Sequence, residues 1–79
     1  METYSIAIWI WNGVEELDFA GPYEVLTAWA RQSERDITVR TVAPTAEPIT
    51  CSHGLRVIPD VAWDELGHVD LFLHPGGQT

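Results

Sequence analysis

The residues best placed to do chemistry in this chain are one aspartate and a pair of glycines near the end. Asp18 directly precedes the apolar pair Phe19-Ala20, just ahead of a predicted helix. A half-buried carboxylate in such a place can stay protonated and share a hydrogen bond with a nearby thiolate. It could equally satisfy the free backbone amides at the start of the helix. The residues alone leave both roles open.

The two glycines, Gly76 and Gly77, follow a strand of buried type and the residues His74 and Pro75. Because glycine has no side chain, its backbone N–H can approach a substrate oxygen closely. One such donor contributes on the order of 10²–10³ in rate when negative charge develops on that oxygen. The alternative is a tight turn of the kind that any fold can require. We favour the anion-binding role because of the strand that precedes the turn.

The single cysteine and the three histidines are weaker candidates. Cys51 lies in a predicted hairpin strand where only His53 is near enough to lower the pKa of its thiol, so we expect a small core or edge residue. We expect His53 and His68 at the surface. His74 lies at the edge of the expected pocket, and we favour a structural role for it over contact with a substrate.

Composition excludes several classes of function. The 79 residues are 46% apolar, which suits one small globular unit with a core. Twelve acidic and four basic residues give a net charge of −8, which argues against a nucleic-acid or anionic membrane surface. A lone cysteine allows no internal disulfide, and without the Cys/His spacing of a zinc site we expect no metal and no cofactor. The N-terminus has no signal-peptide pattern, which predicts a cytoplasmic location.

The first half of the chain predicts a strand, a helix and a second strand. Residues 4–11 are almost unbroken apolar, as in a strand covered on both faces of a parallel sheet, with Trp9 and Trp11 on one face. Gly21-Pro22 and the apolar spacing that follows predict a helix over residues 22–34. The acidic turn before this helix is expected to carry Glu15 and Glu16 as solvated charges.

The remainder predicts a strand over 37–42, a hairpin of 49–51 with 55–58, a helical turn over 61–66 and a closing strand over 69–73. A right-handed crossover would make the first two strands parallel neighbours. The loops after the first and last strands would then meet at one edge of the sheet. The chain stops there, so we expect one wall of a pocket, and an uncovered sheet prone to self-association.

Three segments together resemble the ThiJ/PfpI superfamily, which includes a parkinsonism-associated deglycase, PfpI proteases and isocyanide hydratases. They are residues 13–26 (GVEELDFAGPYEVL), residues 52–55 (SHGL) with Pro59-Asp60, and residues 75–77 (PGG). The resemblance implies an α/β, flavodoxin-like (class I glutamine amidotransferase-like) three-layer sandwich with a mostly parallel sheet and a β-hairpin. From the resemblance we expect residues 1–79 to be the N-terminal half of one such domain, without the half that carries the nucleophile elbow.

Members of this superfamily use a cysteine from that second half. The resemblance implies that Asp18 is the acidic partner of this thiol and that Gly76 and Gly77 form the oxyanion or anion-binding loop. The complete form is then expected to hydrate or hydrolyse a small molecule, as isocyanide hydratases do. The alternative is a ligand-sensing, non-catalytic domain of an AraC-type regulator. The partners implied are a small-molecule substrate, a complementary C-terminal segment that carries the cysteine, and a second copy in a homodimer.

Overall fold

The structure, a computed structural model, describes residues 2–76 as a succession of short strands around one long helix. In chain order the elements are β1 (Tyr4–Trp9), α1 (Glu16–Gln32), β2 (Ile37–Ala43), β3 (Ile49–Thr50), β4 (Arg56–Val57), β5 (Val61–Ala62), a 3-10 helix (Trp63–Glu65) and β6 (Leu71–Leu73). Among these residues, no helix combines the length and the apolar character that a bilayer crossing demands.

The main sheet has the strand order β5-β2-β1-β6, and all of its pairings are parallel. β1 lies inside the sheet, where Ile8 is opposite Thr41 on one side and Leu73 on the other. The side chains of Ile6 and Ile8 are fully buried, as the apolar run predicted. The parallel, adjacent placement of β1 and β2 is confirmed, and so is the α/β class.

Helix α1 covers one face of this sheet. Phe19 from the helix packs with Ile8, Ile10 and Val14 in the larger of two buried clusters, and Leu26 packs against that cluster. Burial of these side chains is the main favourable term that holds the helix to the sheet. The opposite face carries a smaller cluster and has no long helix over it among the described residues.

The predicted start of the helix, at residue 22, was wrong. Helix α1 begins at Glu16, and Pro22 lies inside it. Two acidic side chains in the first turn, Glu16 and Asp18, suit the positive end of the helix dipole. Pro22 has no N–H to donate to the carbonyl of Asp18 four residues earlier, so that carbonyl lacks its usual helical partner.

The hairpin forms as predicted but with shorter strands. β3 and β4 are antiparallel, with Ile49 opposite Val57, and Gly54 in the turn has a φ of 99° that favours glycine. Cys51 is buried with Ile49 in the cluster beneath α1, which confirms its expected core position.

Two expectations about the opposite face were wrong. The helical turn predicted over residues 61–66 opens with strand β5 and only then becomes a 3-10 helix. Trp9 and Trp11 do not share a face, because β1 ends at Trp9. Trp9 packs against the small cluster around Ala7 and Val42, whereas Trp11 packs against the large cluster on the α1 side.

An aspartate precedes each of the two edge strands. The Asp70 carboxylate accepts a hydrogen bond from the Ser5 N–H (2.8 Å), and the Asp70 N–H donates to the Ser5 carbonyl (2.8 Å). Asp60 makes equivalent bonds to Thr41 before β5. Each aspartate therefore secures a strand of two or three residues that has few ladder bonds of its own.

Candidate functional site

The loops that follow β1 and β6 meet at the carboxyl edge of the sheet. Trp11, two residues beyond β1, lies against the ring of His74, which directly follows β6, with ring centroids 5.1 Å apart. In open α/β sheets, ligands bind outside this edge of the strands. The contact joins the loop after β1 to the loop after β6, and Asp18 lies seven residues beyond Trp11, in the first turn of α1.

An apolar concavity of about 440 Å³ opens at the same edge, on the face opposite α1. Its lining residues are Trp9, Pro44, Trp63, Phe72 and His74. Three of them directly follow strands β2, β5 and β6. The aromatic rings pack against one another, with centroids 5.6 Å apart for Trp9 and Trp63 and 5.9 Å apart for Trp63 and Phe72. Sequence analysis missed this cluster because its aromatic members come from β1, the 3-10 helix and β6, which are far apart along the chain.

Asp18 lies in the first turn of α1, half-buried. Its backbone N–H donates to the carbonyl of Glu15 at 3.1 Å. The helix cap is Glu15, whose carboxylate accepts the Glu16 N–H at 3.2 Å, so capping of the helix is not the task of Asp18. Within residues 2–76, no protein group is hydrogen-bonded to the Asp18 carboxylate. Its catalytic role stays a prediction.

Gly76 is exposed beyond β6, and a Cβ atom added there would meet no atom of the described chain within 4 Å. Gly77 lies outside the described residues. The anion-binding role of both stays a prediction. His74, whose Nδ1 lies 2.8 Å from the carbonyl oxygen of Pro75, is positioned both by that bond and by the ring of Trp11.

A polar cluster that sequence analysis did not predict joins the start of α1 to the turn between β3 and β4. The Glu16 carboxylate accepts the backbone N–H groups of His53 (3.0 Å) and Leu55 (3.2 Å). The Ser52 hydroxyl donates to Glu15 at 2.6 Å. Nδ1 of His53 lies 2.9 Å from Glu15 Oε2 and 3.2 Å from Glu16 Oε1. The two glutamates, expected to be solvated turn charges, instead bind the hairpin.

These contacts shift the titration of both partners. Partial burial alone would raise the pKa of Glu16, but hydrogen bonds from the backbone of Glu16, Leu55 and His53 and from the His53 ring lower it to about 2. The Glu16 and Glu15 carboxylates raise the pKa of His53 above its ordinary value of 6.5. The ring is largely exposed, so this is an effect of the two neighbouring charges.

The same cluster is a group within the described chain whose atoms could share a metal ion. One ligand atom each from Glu15, Glu16 and His53 lie within 4.8 Å of one another. The two carboxylates and Nδ1 of His53 already take part in the hydrogen bonds described above. The hydrogen bonds account for the arrangement without an ion.

Cys51 has the properties of a structural thiol. Burial raises its pKa first, and the negative charges of Glu16 and Glu15 raise it further. Thiolate is the reactive form of cysteine, so each of these effects suppresses nucleophilic attack. The expectation that Cys51 is not the nucleophile agrees with this environment.

Comparison with known proteins identifies the fold and the family. The model of the DJ-1/PfpI family matches residues 4–79. The chain belongs to the DJ-1/PfpI family. An isonitrile hydratase from Pseudomonas putida is 34% identical over 64 residues, which are 81% of this chain and 26% of the hydratase. The uncharacterized protease YoaZ from Bacillus subtilis (strain 168) is 29% identical over 83 residues, covering 100% of this chain and 40% of that protein.

Solved structures of two ThiJ/PfpI family proteins and of a transcriptional regulator share the fold of this chain. A ThiJ/PfpI family protein from Pseudomonas syringae superposes with a TM-score of 0.81 at 22% identity, over 98% of this chain and 30% of that one. A thiJ/pfpI family protein from Bacillus anthracis gives 0.70 at 26% identity, over 100% and 39%. An AraC family transcriptional regulator from Pseudomonas putida gives 0.77 at 14% identity, over 95% and 48%. The chain thus spans a quarter to a half of these proteins.

Proposed function

We propose that this chain is the N-terminal part of a DJ-1/PfpI domain whose complete form performs cysteine-dependent hydration or hydrolysis of a small molecule, with an isonitrile as the model substrate. The observation that carries the proposal is the 34% identity to an isonitrile hydratase over 81% of the chain. The contact between the β1 and β6 loops supports it, because it lies at the carboxyl edge of the sheet, where ligands bind in open α/β folds, and Gly76 follows in the second of these loops.

In this proposal the nucleophile is a cysteine from a complementary C-terminal segment. Its thiolate would attack the terminal carbon of the isonitrile, and Asp18 would supply the proton that the adduct takes up. Water would then displace the thiol, so that R–NC and H₂O give the formamide R–NH–CHO. The N–H groups of Gly76 and Gly77 would hold the negative charge that develops on the bound substrate.

The same complementary segment is the proposed occupant of the aromatic surface formed by Trp9, Trp63 and Phe72. Trp63 and Phe72 are 55% and 42% exposed in the described chain, which is unusual for adjacent large aromatic side chains. The relatives are two to four times as long as the matched region, so each has additional polypeptide available to cover the corresponding face. Covering this face would also supply the third layer that the resemblance implies.

The test is Asp18→Asn in the intact gene product, assayed with an alkyl isonitrile by following formamide formation. Loss of a general acid typically lowers the rate by about 10²–10⁴-fold, and the reactive thiol should titrate at a different pH in the variant. Asp64→Asn is the matched control, since Asp64 is an exposed aspartate in the 3-10 helix. Unchanged turnover together with an unchanged thiol titration would remove Asp18 from the mechanism.

A second candidate is a ligand-sensing domain of an AraC-type regulator, because two solved regulators share the fold with TM-scores of 0.77 and 0.79. At 14% and 16% identity this likeness shows the fold alone. Isonitrile that binds, as measured by calorimetry, without being consumed would favour the sensor. Formamide production would favour the enzyme. A homodimer and a cytoplasmic location remain predictions for either candidate.

A further inference from the structure

The polar cluster at the start of α1 has a geometry that the proposed reaction does not yet use. We propose that His53 is a positioning residue for Asp18: it clamps the first turn of α1 to the β3–β4 turn through Glu15 and Glu16, and the clamp loosens when the imidazole loses its proton. This inference rests on the proposed function, because it assigns a purpose to the placement of Asp18.

The start of α1 depends on contacts with the hairpin. Its cap is a glutamate, which is a weaker choice than the Ser, Thr, Asp or Asn that helices prefer at that position. The missing support comes from the β3–β4 turn. Ser52 and the backbone of His53 and Leu55 all donate to Glu15 or Glu16. In addition, the Ser52 N–H donates to the Val14 carbonyl at 2.9 Å, so the loop before the helix is held as well.

The clamp favours the charged form of the His53 imidazole. Nδ1 of His53 faces two carboxylate oxygens, at 2.9 Å and 3.2 Å. A protonated ring donates Nδ1–H into this pair and neutralises part of its charge, whereas a neutral ring protonated at Nε2 presents a lone pair to two anions. Of the described groups, Glu16 and Glu15 are the charges that act on this ring, and Ser52 is its neutral neighbour on the hairpin.

Glu15 connects the clamp to Asp18. The Glu15 carboxylate accepts a hydrogen bond from the Ser52 hydroxyl and lies within hydrogen-bond distance of the His53 ring. The Glu15 carbonyl accepts the backbone N–H of Asp18. Movement of Glu15 therefore moves the peptide that carries Asp18. A misplacement of about 1 Å can cost on the order of 10² in rate, so a small shift in this first turn has a measurable effect on catalysis.

The sign of the pH dependence follows from the raised pKa of His53. The contribution of the His53 ring to the clamp is fully present below the ordinary histidine pKa of 6.5 and is lost as the pH rises through the higher pKa in the folded protein, while the backbone and Ser52 hydrogen bonds remain. A neutral substitute that can still donate, His53→Gln, should hold the turn less tightly and without any titration. His68→Gln is the matched control, because His68 is an equally exposed histidine paired with an aspartate (2.9 Å) just before β6, away from the carboxyl edge.

The experiment is an NMR titration of the isotope-labelled intact gene product, followed by rate measurements with an alkyl isonitrile. The amide signals of Asp18 and Leu55 should shift with the midpoint of the His53 ring and lose this dependence in His53→Gln. The kcat of His53→Gln divided by that of the wild type should be lowest below the midpoint of the His53 ring, by up to about 10²-fold, and should rise as the pH passes that midpoint. The KM should be unchanged. With His68→Gln the amides should titrate as in the wild type and the kcat ratio should stay near one.

An Asp18 amide that ignores the His53 titration, or a kcat ratio that is independent of pH in His53→Gln, would overturn the inference. Failure of the proposed function has a different signature. If the wild-type protein produces no formamide at any pH while the Asp18 amide still follows His53, the proposed reaction is wrong, and the coupling of His53 to Asp18 stands.

Discussion

Thr41 and Asp60 are joined by four hydrogen bonds that involve both the backbone and the side chain of each residue. The Asp60 carboxylate accepts the N–H (2.8 Å) and the hydroxyl (3.2 Å) of Thr41, and the Asp60 N–H donates to the carbonyl (3.1 Å) and the hydroxyl oxygen (2.9 Å) of Thr41. This exchange precedes β5, a strand of two residues. The Pro59-Asp60 pair, noted in the sequence as part of a resemblance, therefore has a structural role of its own.

We predict that Asp60→Ala lowers the free energy of unfolding by about 1–3 kcal/mol, because it leaves the N–H of the buried Thr41 without an acceptor. Chemical denaturation monitored by circular dichroism measures the loss. Asp64→Ala changes an exposed aspartate a few residues away and should stay within about 0.5 kcal/mol of the wild type. Equal stabilities for the two variants would contradict the proposed role of Asp60.

Substitutions at two glycines, one in a turn and one in α1, measure different effects on stability. Gly13 has a φ of 96°, and Gly21 lies inside α1 directly before Pro22. Apart from its chain neighbours, an added Cβ would meet no atom within 4 Å in either place. Gly13→Ala should therefore destabilise the protein by about 1–2 kcal/mol through strain alone. At Gly21 the gain in helix propensity, about 0.5–1 kcal/mol, is opposed by contact between the new Cβ and the ring of Pro22, so Gly21→Ala should cost less stability than Gly13→Ala. Thermal unfolding of the pair measures the difference, and a stabilising Gly13→Ala would refute the conformational argument.

Glu16 should dominate part of the acid unfolding of the protein. Its pKa is lowered to about 2 from an ordinary value of 4.5, so its contribution is complete above pH 4.5 and is lost as the pH falls towards 2. Glu16→Gln should flatten the stability curve in this window. Glu47→Gln removes an exposed glutamate from the loop after β2 and should preserve the wild-type slope. Urea midpoints measured from pH 5 to pH 2 would fall with the wild-type slope in both variants if the assignment is wrong.

Cys51 should alkylate slowly in the native protein, since its thiol is buried and its pKa is raised. Mass spectrometry after timed exposure to iodoacetamide at neutral pH measures the rate. Ala46→Cys places a second thiol in an exposed loop of the same chain and serves as the internal reference. We expect the reference thiol to react first and the two to react at similar rates in denaturant. Equal native rates would mean that the region around Cys51 opens readily.

The sequence predicted what local pattern can encode. The apolar run of β1, the alternation of β2 and the glycine turn of the hairpin each depend on neighbouring residues, and all three are present. The start of α1 is different, because Glu16 is held by backbone groups of the β3–β4 turn. A proline that suits a first helical turn therefore misplaced the boundary. Strand β5 was missed for the same reason, since it pairs with Val42 and Ala43 of β2, which lie about 20 residues earlier in the chain.

The same difference between local patterns and contacts of distant segments applies to the candidate site. The sequence marked Asp18 and the two loops at the carboxyl edge, because motif residues are local. It did not mark His53 as a partner of Glu15 and Glu16, because those residues come from the hairpin and the helix and no spacing along the chain relates them. It also assigned Trp9 and Trp11 to one face, since alternation alone cannot show where a strand ends.

The one-sided position of α1 has a consequence for synthesis. The first three elements are consecutive along the chain, and together they form a parallel pair with its covering helix. Domains generally begin to fold from the N-terminal side as the ribosome releases them, and a unit built from nearby segments forms early. Nascent β1, α1 and β2 would leave the indole of Trp9 unshielded until later residues arrive. The order of synthesis thus exposes the aromatic side of this sheet to chaperones before anything can cover it.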